Sequence, residues 1–188
     1  MLGRAVLRVT GWRIVGALPS EPRFVVVVAP HTSNWDFPVG LAAKLALDLD
    51  AHWLGKHSLF RWPAGPILRW LGGLPVRRDN AQGVVGEVAE MLRSSERFVV
   101  ALAPEGTRRR VEQWRTGFYH IAERAGVPIV PVMLDWGRRE VAIGEPLRPT
   151  GDVARDVATI QARYRLDMAR RPEGYWAERS PSMARDTS

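Results

Sequence analysis

Hydrophobic residues along the chain fall by turns into short continuous runs and helical periods. Phe24 to Ala29 (FVVVVA) is a continuous β-branched run, the pattern of a strand buried on both faces. Phe37, Leu41, Leu45 and Leu49 then recur at helical spacing, with Asn34 as a candidate N-cap. His52–Lys56 and Gly73–Arg78 are weaker strand candidates, and Val84, Val85, Val88, Met91 and Leu92 mark one face of a helix. Arg97–Thr107 (RFVVALAPEGT) repeats the strand-then-loop form. A further helical face runs through Trp114, Phe118, Ile121, Ala122 and Ala125. Val127–Leu134 (VPIVPVML) reads as a strand whose Pro128 and Pro131 place it at an irregular or edge position. A short strand near EVAIG and a helix capped by Asp152, with Val153, Val157, Ile160 and Tyr164 on one face, complete the pattern.

Strand and helix in this rhythm predict an α/β fold, a mainly parallel central sheet flanked by helices. Residues 1–170 read as a single domain. Residues 171–188 are polar, contain Pro and Ser, and have no apolar period, so a partly disordered tail is expected there. In such sheets ligands gather at the carboxyl ends of the strands. His31 and Glu105 each stand just past the end of a buried run, which brings two distant loops to one edge.

His31 and Asp36 are five positions apart. On an ideal helix that spacing turns the two side chains roughly 140° from each other. Cooperation therefore requires His31 in the loop and Asp36 in the first turn of the following helix, where a carboxylate suits the positive end of the dipole. An imidazole so oriented is a general base for neutral pH, and the carboxylate fixes its tautomer and stabilises the imidazolium. A lone His followed by an Asp is more often structural, and the pair by itself does not decide.

Charge and composition narrow the partners. The chain carries 27 basic and 20 acidic residues, net +7, and only Lys44 and Lys56 are lysines. That excess suits anionic partners, and arginine suits bidentate phosphate contacts, although a genomic base-composition bias would give the same count. There is no cysteine, which excludes disulfides and thiolate chemistry. No apolar run reaches the roughly 18 to 20 residues of a membrane-spanning helix, and the N-terminus does not read as a signal peptide.

Four blocks in order carry a resemblance. His31-x-x-x-x-Asp36 is followed by GGLPVRR (residues 72–78), by Pro104-Glu105-Gly106-Thr107-Arg108, and by VPIVPV (residues 127–132). Together they resemble the glycerolipid acyltransferase family, which contains the bacterial lysophosphatidate acyltransferases. The second block departs from the family pattern, since Arg77 replaces the usual acidic residue before Arg78. The resemblance implies a glycerol-3-phosphate acyltransferase-like fold. It also implies an O-acyltransferase that moves a fatty acyl group from acyl-CoA or an acyl-carrier protein to the hydroxyl of a lysophospholipid, with no metal or other cofactor. His31 would act directly on the acceptor hydroxyl, without a covalent acyl-enzyme. Arg78 and Arg108 suit a phosphate on the acceptor. By resemblance Glu105, Gly106 and Thr107 belong to the same acceptor-binding loop, Glu105 toward a glycerol hydroxyl or an arginine. Arg109, Arg110, Arg138 and Arg139 read as solvated charges, and His52, His57 and His120 as packing or surface residues.

Leu59–Pro75 mixes Phe60, Trp62, Ile67, Leu68, Trp70 and Leu71 with Arg61 and Arg69, a composition suited to a membrane interface. The N-terminal segment through Leu18 is also apolar with spaced arginines, and fits either an interface or packing on the core. The expectation is a peripheral protein on the anionic, cytoplasmic face of the plasma membrane, with no nucleic-acid partner. Three other readings remain open: an acyltransferase for another lyso-lipid or glycolipid acceptor, a lipid thioester or ester hydrolase on the same scaffold, and a non-catalytic protein that binds anionic membranes.

Overall fold

A computed structural model describes residues 2–76 and 81–176. Its elements are α1 (Leu2–Val9), β1 (Arg13–Val15), β2 (Arg23–Ala29), α2 (Asp36–Ala46), β3 (Ala51–Lys56), α3 (Ala64–Trp70), β4 (Gly73–Val76), α4 (Ala81–Ser94), β5 (Phe98–Leu102), α5 (Gly117–Ala125), β6 (Ile129–Asp135), β7 (Glu140–Ile143) and α6 (Val153–Gln161). Seven strands form one sheet in the order β1-β7-β6-β2-β5-β3-β4. Every neighbouring pair is parallel except β6 with β7.

The FVVVV run lies at the centre, and both its faces are covered. Val25 and Val27 pack with Val88 and Leu92 of α4, Phe118 and Ile121 of α5, and Val157 and Ile160 of α6. Phe24 and Val26 pack on the opposite face with Val39, Ala42 and Ala43 of α2 and Leu7 of α1. Alternate burial along one strand thus welds two helical layers to the sheet, which is why a continuous apolar run was needed there. The N-terminal segment packs rather than hangs free. Gly3 sits so close to α2 that a Cβ would meet Ala42 O at 2.5 Å, and Arg4 Nε donates to Ala46 O at the end of α2.

Two expectations are sharpened by the structure. Of the irregular and edge positions open to the proline-bearing strand, it takes the irregular one, because β6 is bonded on both sides, to β2 and to β7. The missing N–H of Pro131 falls at a bulge. Between the Val132–Ile143 pair and the Ile129–Leu147 bridge the partner strand carries an extra residue, and there Pro131 only accepts, from Gly144 N at 2.8 Å. Of the segment 171–188 expected to be a partly disordered tail, 177–188 lie outside the described residues, and the end of the described part packs on the core. Gly174 and Tyr175 are buried, and Trp176 Nε1 donates to Glu112 O while its ring lies 5.7 Å from that of Trp114. Trp114 itself precedes α5 rather than beginning it, yet is buried.

The topology fixes where a ligand can enter. The chain leaves β2 into α2 on one face of the sheet and leaves β5 toward α5 on the other. Neighbouring strands whose connections depart to opposite faces open a crevice at their carboxyl ends. Register sets the heights: Val27 lies opposite Leu102, so His31, four residues on, and Glu105, three residues on, emerge side by side.

Candidate active site

Asp36 opens α2, and its carboxylate helps to start it. Asp36 Oδ2 accepts from Ser33 N at 2.7 Å while Ser33 Oγ accepts from Trp35 N at 3.2 Å, so the two side chains brace the turn before the helix, whose N-cap position is Trp35 rather than Asn34. The same Oδ2 stands 3.3 Å from His31 Nδ1. Its other oxygen, Oδ1, accepts from Trp136 Nε1 at 2.8 Å. The carboxylate is almost wholly buried, whereas the imidazole is 21% exposed. Facing Asp36 with Nδ1 leaves His31 Nε2 as the ring nitrogen free to take a proton. His31 is thus in the loop and Asp36 in the first helical turn, the arrangement that their spacing required.

Glu105 holds the loop from the other side. Its Oε2 accepts from His31 N at 2.7 Å, and the side chain is buried. Burial drives its pKa from 4.5 up to about 7, the His31 N–H opposing the shift and the Asp36 charge adding to it. Glu105 therefore fastens the Pro104–Arg108 segment to the His31 backbone and lines neither hollow described below. Gly106 follows at φ +65, and a Cβ there would lie 3.1 Å from Arg115 Nε, so glycine permits both the turn and the close passage.

Two hollows meet at His31. One, of about 330 Å³, is bordered by Lys56, Leu59, Gly106, Thr107 and Arg108. The other, of about 180 Å³, is apolar, with Val28, Phe37, Leu41, Trp53 and Leu134 in its walls. A smaller hollow of about 80 Å³ continues beneath α2 and shares Val28, Gly40, Lys44, Ala51 and Leu134 with the apolar one. Arg78 lies outside the described residues. Thr107 and Arg108 are exposed at the rim, together with Lys56. Among the described residues no group of three or more His, Asp or Glu side chains is placed to hold a metal ion.

Sequence reasoning missed Trp136 and Lys56. Both follow or end a strand at the same carboxyl edge, Trp136 after β6 and Lys56 at the end of β3, and applying the strand-end rule to every strand would have found them. Trp136 is itself held, with the Trp12 ring edge-on at 4.9 Å and the Arg170 guanidinium 4.4 Å above its face.

Comparison with known proteins places the chain beside glycerolipid acyltransferases. The chain is 34% identical over 113 residues to a 1-acyl-sn-glycerol-3-phosphate acyltransferase of Escherichia coli (strain K12), covering 57% of this chain and 45% of that protein. It is 28% identical over 173 residues to the human 1-acyl-sn-glycerol-3-phosphate acyltransferase alpha, covering 80% of this chain and 58% of that one. It therefore spans about half the length of these curated relatives. The crystal structure of the 1-acyl-sn-glycerophosphate acyltransferase PlsC from Thermotoga maritima superposes with a TM-score of 0.61 at 23% identity, over 86% of this chain and 73% of that one, which establishes the shared fold. The family model described as Acyltransferase matches residues 14–135, from β1 through the end of β6 and so across all four sequence blocks, and the chain belongs to that family.

Proposed function

We propose that the protein is an O-acyltransferase that moves a fatty acyl group from a thioester, acyl-CoA or acyl-carrier protein, to the hydroxyl of a lysophosphatidate-like acceptor. The observation that carries this reading is the position of His31, backed by buried Asp36 and standing where an apolar hollow meets one rimmed by Lys56 and Arg108. The names of the relatives, 1-acyl-sn-glycerol-3-phosphate acyltransferases, support the same acceptor class.

His31 Nε2 takes the proton of the acceptor hydroxyl as its oxygen attacks the thioester carbonyl carbon, and Asp36 stabilises the imidazolium that forms. The tetrahedral intermediate then breaks its C–S bond. The departing sulfur takes the proton back from His31, leaving an ester and a free thiol. The acyl chain occupies the apolar hollow, where its methylenes leave water. Arg108 and Lys56 hold the acceptor phosphate, Arg108 through its fork and Lys56 as a point charge.

The lipid reaches this site from a membrane surface. Trp62 and Trp70 are 87% and 83% exposed, and Leu59 and Ile67 are also exposed, with Arg61 and Arg69 between them. Leu59 also borders the hollow at His31, so the interfacial segment and the site share a wall. Phe60 differs from its neighbours in being buried against Trp53. Among the described residues no helix is long and apolar enough to cross a membrane, and the proposed attachment is peripheral, to an anionic leaflet.

The test is product analysis. Purified protein given lysophosphatidate and an acyl thioester should yield phosphatidate, and the His31→Ala variant should yield none. Free fatty acid as the main product would establish a hydrolase instead.

A further inference from the structure

Arg109 and Arg110 continue the Pro104–Arg108 block but do not border the hollow at His31. They line a second cleft, of about 540 Å³, together with Arg108, Arg171 and the loop from Thr32 to Trp35. Arg108 borders both spaces. Four guanidinium groups line this cleft against one carboxylate, Glu173. Among the described residues none of the four makes an ion pair. All four are exposed, and like charges gathered around one cleft raise the local potential that attracts an anion of several charges. Trp35 adds a second kind of group. Its indole borders the cleft and is 59% exposed, and the Arg170 guanidinium lies 5.3 Å over its ring.

The cleft is within reach of the reacting centre. Glu105 is bonded to the His31 backbone, and Arg110, five residues later, can be no more than about 17 Å from it along the chain. A ligand in the cleft can therefore extend to His31. Several arginines beside an exposed indole fit a phosphorylated nucleotide, whose phosphates take the guanidinium forks and whose base stacks on the ring. A lipid headgroup offers a single phosphate and no aromatic surface, and so leaves most of this cleft unmatched.

We infer that the cleft bounded by Trp35, Arg109, Arg110 and Arg171 binds the nucleotide phosphates of an acyl-CoA, making coenzyme A rather than a carrier protein the donor of this enzyme. The inference rests on the acyl-transfer reading of His31 and adds the identity and seat of the donor. Arg108 keeps its place at the acceptor, and the three outer arginines serve the donor.

Equilibrium titration with coenzyme A and with 3′,5′-ADP reads the site without turnover. Arg110→Ala and Arg171→Ala should each weaken both by about tenfold or more. Trp35→Ala should weaken 3′,5′-ADP and leave inorganic pyrophosphate unchanged. In turnover the two arginine variants should raise KM for acyl-CoA by a similar factor, and that penalty should vanish with an acyl N-acetylcysteamine thioester, which carries no nucleotide. Unaltered coenzyme A affinity in both arginine variants would overturn the inference, and lost binding to phosphatidylglycerol vesicles in its place would assign the cleft to the membrane. Transfer that survives in His31→Ala would instead overturn the role of His31 as base, and free fatty acid as the main product the acyl-transfer reading, while the titrations still report on the cleft.

Discussion

Beneath His31 the polar groups are paired within the protein, whereas at the rim of the hollow Lys56 and Arg108 make no ion pair among the described residues. Asp36 has Ser33 N on one oxygen and Trp136 Nε1 on the other, and Glu105 holds His31 N. All three acceptors are buried in a frame of strand ends and a helix start. The difference separates two tasks. A group that moves a proton must be held in place before the substrate arrives, since reorganisation during the reaction adds to the barrier. A group that recognises an anion must stay open to it, and its pairing energy is released on binding. Damage to the buried frame should therefore appear in kcat, and damage to the rim in KM.

The largest effect is expected where the frame meets the chemistry. His31→Ala removes the base. Asp36→Asn keeps a hydrogen-bonding side chain but cannot compensate the imidazolium charge, and should lower kcat by about 10³ to 10⁴. The amide oxygen can still accept from Ser33 N, but its nitrogen then faces the Trp136 Nε1–H, so Asp36→Asn should lose about 1 to 3 kcal/mol of stability, less than it loses in activity. Near-parental turnover in Asp36→Asn would show that the pair is structural and would dissolve the contrast between frame and rim.

At the rim, Arg108→Ala should raise KM for the acceptor about ten- to a hundredfold, through the loss of charge-assisted hydrogen bonds. Lysine there should restore part of the affinity, since it returns the charge without the fork. Lys56→Ala should act in the same direction more weakly. Steady-state kinetics with lysophosphatidate varied at saturating thioester measure both. A fall in kcat with KM unchanged would move Arg108 into the frame.

What the chain disclosed by itself was local. The FVVVV run announced a strand covered on both faces because that requirement acts on consecutive residues, and the five-residue step from His31 to Asp36 dictated loop then helix through helical geometry alone. Trp136 was not legible. Its role depends on β6 lying next to β2, so that a residue 100 positions from Asp36 meets its carboxylate. The same holds for Glu105, whose acidic side chain reads as a ligand group in sequence but is turned inward by the β2–β5 register. Pro131 left an irregular and an edge position both open, because the bulge that accommodates it is set by the neighbouring strand and not by its own stretch of sequence.

Trp136→Phe tests whether a non-local part of the frame belongs with the chemistry. Phenylalanine fills most of the space between Trp12 and Arg170 but donates nothing to Asp36 Oδ1, leaving a buried carboxylate oxygen without its partner. The loss of one hydrogen bond to a charged group should lower kcat by about tenfold, with both KM values unchanged. A rise in the acceptor KM alone would place Trp136 with the rim.

The smallest effect on turnover is expected at Glu105, where the frame should reveal itself through pH. The Glu105 carboxyl titrates near 7 in the folded protein against 4.5 in an exposed chain, because burial disfavours its charge. The folded state therefore holds this proton more tightly than the unfolded state. The stability so contributed is complete below about pH 4.5 and is lost as pH rises toward 7. Glu105→Gln stays neutral throughout, and its amide oxygen can still accept from His31 N. The variant and the parent should unfold alike near pH 4.5. The difference should then open in the variant's favour as pH rises and level off above pH 7, at about 3 kcal/mol. Chemical denaturation at a series of pH values measures that difference. If it stayed flat from pH 4.5 to above 7, Glu105 would be ionised at no cost and would belong with the hydrated rim rather than the buried frame.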